Sequence, residues 1–353
     1  MALRPECTRK FAFERARLQS CRYARPIVRA LAPAGRPSVA SRPLPHRFTL
    51  ISKIPLLLLF ALGLGLRLAA QEDKPLRLDV KLVSLFVNVT DKTGAIVGGL
   101  TKEDFKITED SRPQNIAVFE RQSEMPLNLT LAIDTSSSTY KDRSIEQQAA
   151  KKFVHALLRS QDQMSVIEFD TFVTELADFT NKVSLIDHGL DRMRGEGGTA
   201  LYDAIYLGSK SLGKKDGRKV LVLVTDGGDT VKGSTYNEAL EMALRDEVMI
   251  YSIIDVPIEA SAGRDLGGEH ALIQLSEDTG GKHFYVDAGG LDKAFARVSD
   301  DLRTQYMIGY YPHNQEPGRA FHRIDVTVPR AATESFNIRH KTGYYAEPRK
   351  TRD

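Results

Sequence analysis

Two kinds of hydrophobic pattern follow one another along the chain. From Leu76 to Glu120, short apolar stretches alternate with polar residues and turns, which predicts a small β-sheet module. From Leu127 to about Thr304, strand-like apolar runs alternate with helical stretches. Alternation of this second kind predicts an α/β fold with a doubly wound, mainly parallel sheet.

The most apolar run of the second region is Val220-Leu-Val-Leu-Val224, which is typical of a strand buried on both faces of a parallel sheet. Further strands are predicted at Leu127–Ile133, Met164–Phe169, Phe172–Leu176, Val248–Ile254 and His283–Val286. Helices are predicted at Ile145–Arg159, Val183–Met193, Leu201–Leu212, Glu238–Arg245, His270–Glu277 and Leu291–Thr304.

The β pattern returns after Gln305, at Tyr306–Tyr311, Arg323–Val328 and Phe336–Tyr345. These strands are too few to form a stable sheet alone, and the same holds for the N-terminal ones. We therefore predict that segments 76–124 and 305–346 together complete one β-sandwich-like module. The α/β domain, residues 127–303, would be inserted between them.

A basic leader, residues 1–70, precedes both patterns. It contains 13 of the 49 Lys and Arg residues and only two acidic residues. Its uncharged apolar run, residues 54–66, is shorter than the roughly 20 residues of a membrane-spanning helix. With small residues up to Ala70 behind it, the run fits the hydrophobic region of a secretory signal peptide. The basic stretch in front is long for such a signal, so a start codon assigned too far upstream and an uncleaved anchor are the alternatives.

We therefore predict an exported protein, located in the periplasm, at the cell surface or in the medium, with membrane contact only through an uncleaved leader. Without the leader, 36 basic and 44 acidic residues remain. Nucleic-acid binding is not expected, because proteins of that class concentrate basic charge in the folded part. Both cysteines, Cys7 and Cys21, lie in the leader, so the rest of the chain can form no disulfide and no Cys-based metal site.

Candidate chemistry lies on three segments of the α/β region. Asp134-Thr-Ser136-Ser-Ser138 follows the first parallel strand, Thr199 precedes a predicted helix, and Asp226 follows the most apolar strand. Loops that follow parallel strands meet at the carboxyl edge of the sheet, where ligands bind. Two carboxylates and three hydroxyls form an all-oxygen site, which suits Mg²⁺, Mn²⁺ or Ca²⁺ better than Zn²⁺ or Cu²⁺. Helix capping is the alternative interpretation of the first segment taken alone.

In this order and on these elements, the five residues resemble the metal-ion-dependent adhesion site of a von Willebrand factor A domain, over about residues 127–303. The flanking segments 97–105, 306–312 and 343–345 resemble a group of exported bacterial proteins with this domain, abundant in acidobacteria. The resemblance implies a Rossmann-like fold, a divalent cation, in the first place Mg²⁺, and a protein partner.

The resemblance also implies a role for each residue. Ser136 and Ser138 would bind the metal directly, Asp134 and Asp226 directly or through water, and Thr199 in either way depending on conformation. A Glu or Asp of a partner protein would complete the coordination. Because hydroxyl ligands carry no charge, the cation would keep its attraction for that external carboxylate.

We therefore expect a metal-dependent protein–protein interaction module that acts in adhesion or envelope assembly. The alternative is a structural envelope protein whose metal site only stabilises the fold. A hydrolase is a third interpretation, but Ser136 stands where a phosphoryl-transferring aspartate site would place a second Asp, and the G-x-S-x-G motif is absent. Enzymatic activity is therefore not expected. Glu168 and Asp170 are interpreted as surface charges.

Overall fold

The computed structural model describes residues 82–121, 125–139, 142–255, 265–286, 290–313, 320–329 and 336–346. All of them belong to one compact unit. The leader, including its apolar run and both cysteines, lies outside the described residues. Within the described ranges, no helix is long and apolar enough to cross a membrane.

The described residues form strands and helices in the following bounds. In chain order, the strands are β1 (Val83–Thr90), β2 (Lys106–Glu109), β3 (Arg112–Gln114), β4 (Ile116–Arg121), β5 (Leu127–Asp134), β6 (Gln163–Phe169), β7 (Val173–Thr180), β8 (Arg218–Thr225), β9 (Val248–Ile254), β10 (His283–Tyr285), β11 (Tyr306–Tyr310), β12 (Phe321–Thr327), β13 (Asn337–Arg339) and β14 (Gly343–Tyr345). The α-helices are α1 (Arg143–Leu157), α2 (Val183–Leu190), α3 (Leu201–Leu212), α4 (Tyr236–Arg245), α5 (Leu266–Asp278) and α6 (Gly290–Arg303).

The central sheet has six strands in the order β10-β9-β8-β5-β6-β7. The first five run parallel, and β7 is antiparallel to β6 at one edge. The α/β fold with a mainly parallel, doubly wound sheet is therefore confirmed. The order places β5 and β8 side by side at the centre, so the segments that follow these two strands emerge next to each other.

Both faces of the sheet are covered by helices. On β8, Val220, Val222 and Val224 belong to one apolar core with Phe153 of α1, while Leu221 and Leu223 belong to a second core on the opposite face. Successive side chains of a strand point to opposite faces, so an uninterrupted apolar strand needs a helical layer on each side. This requirement fixes the sheet between the two layers and exposes only its ends to ligands.

Strands from both sides of the α/β segment pair in two four-stranded sheets, with the orders β13-β1-β11-β4 and β14-β12-β2-β3. The two sheets share one apolar core, which includes Leu85, Ile107, Ile308 and Val326. The buried Tyr306 adds a polar tie, because its hydroxyl donates to the Val97 carbonyl at 2.9 Å. We refer to these eight strands as the β module.

The predicted continuous β segment Phe336–Tyr345 is wrong in one respect. It consists of two short strands in different sheets, since β13 pairs with β1 and β14 pairs with β12. The residues between them turn away to contact the α/β segment, where the Thr342 N–H donates to the Asp278 carbonyl at 2.9 Å. A long-range hydrogen bond to the α/β segment therefore interrupts a segment whose apolar pattern predicts one continuous strand.

A buried polar network joins the β module to α6 and to strand β9 of the central sheet. Asp301 of α6 accepts hydrogen bonds from the Tyr251 hydroxyl at 2.6 Å and from the Arg339 guanidinium at 2.7 and 2.5 Å. Gln305 donates to the Asn88 side chain at 2.9 Å, and Asn88 donates to the Asp301 carbonyl at 3.1 Å. These contacts hold β1 and β13 against α6 and β9.

Candidate metal centre

The register of the central sheet brings the predicted ligand Asp134 beside Thr225, the residue that precedes the predicted ligand Asp226. In the parallel pair β5 and β8, Ile133 lies opposite Val224, so Asp134 and Thr225 come next at the same carboxyl edge. The Thr225 hydroxyl donates to Asp134 Oδ2 at 2.6 Å. The predicted site edge therefore follows from strand order and register.

Four of the five predicted ligands form one chain of hydrogen bonds. The Ser136 N–H donates to Asp134 Oδ1 at 2.9 Å, and the Ser136 and Ser138 hydroxyls lie 3.0 Å apart. The Ser138 hydroxyl donates to Asp226 Oδ1 at 3.0 Å. The structure therefore places two carboxylates and two hydroxyls around one point at the end of the sheet.

Thr199 lies in the neighbouring loop that leads into α3. Its side chain is buried, and its backbone exchanges hydrogen bonds with Thr230, donating at 2.7 Å and accepting at 2.9 Å. The loop reaches the other four ligands through Gly197, whose N–H donates to the Ser137 hydroxyl at 3.0 Å and whose carbonyl accepts from the Ser137 N–H at 3.1 Å. Gly197 has φ +114°, a backbone conformation that residues with a side chain rarely adopt, so glycine is required at this contact.

The site contains a buried carboxylate, Asp134, with the half-buried Asp226 and Asp255 close enough to the other charges to be shifted. Burial raises the pKa of Asp134 to about 6, although hydrogen bonds from Thr225 and Ser136 oppose the shift. Burial also raises the pKa of Asp226 and of Asp255, and the negative charge of Asp142 adds to both shifts. Negative charges from different elements thus act on one another at this end of the sheet.

Glu146, on the first turns of α1, is the most perturbed of these groups. It is buried, and its Oε2 atom has no hydrogen-bond partner among the residues that the structure describes. Burial raises its pKa to about 8, and repulsion from Asp255 and Asp134 contributes to the shift. A buried carboxyl without a partner is costly unless a proton or a nearby cation offsets its charge.

This donor set fits a divalent cation. Its members are oxygen atoms of carboxylates and hydroxyls, which hard cations such as Mg²⁺, Mn²⁺ and Ca²⁺ prefer. The surrounding carboxylates repel one another, and a charge of +2 at their centre would offset that repulsion. Asp134, Ser136, Ser138 and Asp226 would supply the donor atoms for such an ion, and Thr199 lies in the adjoining loop.

Glu146→Gln is expected to stabilise the metal-free protein at about pH 8 and to leave it nearly unchanged at about pH 4. Because the folded-state pKa is raised, the wild type loses stability as the pH rises from the ordinary value of 4.5 towards 8, and the amide removes that loss. The gain at about pH 8 should be on the order of 3 kcal/mol. Urea unfolding in the presence of a chelator, at both pH values, measures it.

The exposed Glu241, paired with Arg245 on the surface of α4, provides the control. Glu241→Gln should change the free energy of unfolding by less than about 1 kcal/mol at either pH. An equal effect of Glu146→Gln at both pH values would contradict the assignment of the strain to this carboxyl.

Sequence reasoning missed Thr225 and Glu146. Thr225 could have been found from the register of two parallel strands, which puts the residue before Asp226 beside Asp134. Glu146 precedes Ala149, Ala150 and Phe153 on the buried face of α1, so its helical spacing already marks it as an inward-facing carboxylate.

The interpretation of Glu168 as a surface charge is wrong. Glu168 is buried at the end of β6, where its carboxylate accepts the Arg194 N–H at 2.9 Å. Burial raises its pKa. The loop that carries Gly197 and Thr199 folds over the strand end and covers it, and such long-range cover is not encoded in the local pattern.

A second acidic group lies in the β module, away from the predicted ligands. The candidate ligand atoms of Glu109, Asp110 and His322 lie within 4.8 Å of one another. The Tyr310 and Tyr344 hydroxyls donate to Glu109 Oε2 at 2.7 and 3.2 Å, and His322 Nδ1 lies 2.8 Å from Asp110 Oδ2. These contacts account for the group as a buried polar cluster that links β2 to β11, β12 and β14.

A model of the von Willebrand factor type A domain family matches residues 129–228, a span that contains all five predicted ligands. Comparison with curated proteins gave no match. The domain assignment is thus confirmed for this span, while the complete adhesion site and the acidobacterial-type grouping stay predictions.

Three solved structures are among those to which this chain is similar. The first is BatB from Bacteroides thetaiotaomicron, with 19% identity over 50% of this chain and 97% of that one and a TM-score of 0.41. The second is the vWF domain of the type V pili tip protein Mfa5 from Porphyromonas gingivalis, with 13% identity over 50% of this chain and 94% of that one and a TM-score of 0.41. The third is a von Willebrand factor type A protein from Catenulispora acidiphila, with 10% identity over 71% of each chain and a TM-score of 0.44. At these identities the likeness concerns the fold alone.

Proposed function

We propose that this chain, whose residues 129–228 match the von Willebrand factor type A domain, is an exported protein-interaction module. In this proposal, Asp134, Ser136, Ser138, Thr199 and Asp226 hold a divalent cation, in the first place Mg²⁺, and the partner protein presents a Glu or Asp. The observation that supports it best is the chain of hydrogen bonds from Asp134 through Ser136 and Ser138 to Asp226 at the edge of the sheet.

The composition of the ligand set is suited to binding an outside carboxylate. The two carboxylates carry a total charge of −2, and the hydroxyls add none. Where water or a hydrogen bond separates a carboxylate from the cation, that carboxylate screens the cation less, so part of the positive field stays available to a ligand from outside. A bound cation would supply the positive charge that attracts a partner's Glu or Asp. The chain's own residues fix where that charge stands, because the Ser136 N–H and Thr225 hydroxyl hold both oxygens of Asp134.

Export rests on the sequence of the leader, with its basic residues and the apolar run 54–66. A periplasmic, surface or secreted location would place the site where a second protein of the envelope or of another cell can reach it. Adhesion and envelope assembly are the processes that fit such a module.

The metal site is tested by calorimetric titration of Mg²⁺, Mn²⁺ and Ca²⁺ into the full chain and into Ser136→Ala/Ser138→Ala. The double variant keeps both carboxylates, so any loss of affinity reports the hydroxyls rather than the charge. We expect saturable binding by the wild type and binding weaker by about tenfold or more in the variant. Ser144→Ala, at an exposed position of α1, should bind as the wild type does.

Equal affinity in the wild type and the double variant would contradict the proposed ligand set. A different result separates the two functional interpretations. If the metal binds and raises the melting temperature, but no carboxylate-bearing partner binds in its presence, the site serves only to stabilise the fold.

A further inference from the structure

The described residues include six large hydrophobic side chains that are strongly exposed. They are Ile96, Ile145, Phe172, Leu185, Leu266 and Tyr311. Three of them, Ile145, Phe172 and Leu266, belong to segments that build or contact the candidate metal centre. Exposed hydrophobic side chains that border a functional site are candidates for partner contacts, whereas single exposed hydrophobics elsewhere need no explanation.

Phe172 stands at the tip of the β6–β7 hairpin and is 74% exposed. The preceding Thr171 accepts the Gly198 N–H on its hydroxyl at 3.1 Å. The next residue towards the site, Gly197, is bonded to Ser137 within the metal-binding segment. Phe172 is therefore carried by a hairpin that is tied directly to the Thr199 loop and, through it, to the ligands.

Leu266, the first residue of α5, is 69% exposed. The helix start packs against the loop that follows Asp226, because a Cβ on Gly228 would lie 2.8 Å from Gly268 Cα. Asp265 caps the helix by accepting the Gly268 N–H at 3.0 Å. Leu266 therefore borders the site from the β8 side, whereas Phe172 borders it from the β6 side.

The charge of this surface limits what can bind to it. In the described parts of the site loops, carboxylates outnumber basic groups, and Asp142, Glu196 and Asp265 are exposed. The nearby Arg143 is directed to backbone carbonyls and donates to the Thr135 carbonyl at 3.1 Å. A partner with several acidic residues would be repelled here, while a single carboxylate at the cation and basic residues further out would match the surface.

We propose that the partner presents one Glu or Asp between large apolar side chains, with Lys or Arg further out, and that Phe172 and Leu266 contact those apolar side chains. This inference rests on the proposed function, because the central carboxylate needs the cation. It adds that recognition depends on an apolar rim as well as on the metal. Buried apolar anchors around a polar centre supply much of the affinity of protein interfaces.

The test is selection of peptides from a random display library on the full chain in excess Mg²⁺, with elution by EDTA. We expect the eluted peptides to share one acidic residue with apolar neighbours and flanking Lys or Arg. Synthetic peptides from the enriched pool should bind Phe172→Ser and Leu266→Ser about tenfold or more weakly than the wild type. Leu185→Ser and Ile96→Ser, at exposed apolar positions on α2 and in the segment between β1 and β2, are matched controls and should bind as the wild type does.

The outcomes separate this inference from the proposal beneath it. Acidic peptides that elute with EDTA but lack apolar neighbours, or that bind both serine variants normally, would overturn the apolar rim and leave the metal-dependent function standing. An absence of EDTA-eluted peptides, with Mg²⁺ binding present by calorimetry, would overturn both. Thermal unfolding of each variant checks that the exposed substitutions leave the fold intact.

Discussion

Asp134→Asn is expected to abolish the stabilisation of the protein by Mg²⁺ and, at the same time, to make the metal-free protein more stable. Asparagine has the same shape, so its oxygen can still accept the Ser136 N–H and its amide can donate to the Thr225 hydroxyl. Only the charge is lost. In the wild type, saturation at one hundred times the dissociation constant should add about 2.7 kcal/mol to the free energy of unfolding, and the variant should gain almost nothing.

The opposite effect without metal follows from the pKa of Asp134. Since burial raises that pKa to about 6, the ionised carboxyl of the wild type costs stability above about pH 6, and the cost fades as the pH falls towards the ordinary value of 3.8. At about pH 7.5 the variant should be more stable by on the order of 2 kcal/mol. Urea unfolding with EDTA and with excess Mg²⁺ measures both effects.

Asp292→Asn is the matched control for this experiment. Asp292 lies at the start of α6 in an exposed ion pair with Lys152. The control should keep the full Mg²⁺ effect and change stability by less than about 1 kcal/mol. An undiminished Mg²⁺ effect in Asp134→Asn would refute a role for Asp134 as a ligand.

Arg339→Leu should lower the free energy of unfolding by about 3–5 kcal/mol, the largest loss of stability that we expect from a single substitution here. The substitution leaves the Asp301 carboxylate buried, with the Tyr251 hydroxyl but without the Arg339 guanidinium, whose Nη2 contacts both carboxylate oxygens. An uncompensated buried charge is the physical cause of the loss. Equilibrium unfolding in urea, followed by circular dichroism, measures it.

A double variant sharpens this prediction. Asp301→Asn/Arg339→Leu removes both charges, so it should be more stable than Arg339→Leu alone, even though it carries one more substitution. Breaking the exposed Lys152–Asp292 pair with Lys152→Leu removes the same charge at the surface and should cost less than about 1 kcal/mol. A double variant less stable than the single one would mean that lost packing, rather than lost charge balance, causes the effect.

The central sheet and its site edge could be predicted because their signals are local. The composition of the run Val220–Val224 indicates a strand covered on both faces, and Asp226 follows it after one residue. Asp134 follows the strand-like run Leu127–Ile133 directly. Parallel strands then bring both carboxylates to one edge. For these elements, the hydrophobic pattern and the parallel strand arrangement are enough to predict the strands and the edge at which the two carboxylates lie.

Other features depend on partners far away in the chain and left no local signal. The edge strand β3 has three residues and exists only by pairing with β2. Tyr251, Asp301 and Arg339 look unrelated in the sequence, yet they share one buried network. Glu168 reads as a surface charge until a distant loop covers it.

Strands from before and after the α/β segment pair in the β module, and this arrangement constrains the order in which the protein can fold. Among the described strands, β1 pairs with β11 and β13, which both follow the α/β segment, so this sheet closes only after distant parts of the chain have met. Until then, the alternating apolar residues of β1, from Val83 to Val89, form an unpaired strand that can join other chains. Chaperones that shield β1 until β11 and β13 are available would therefore favour correct folding.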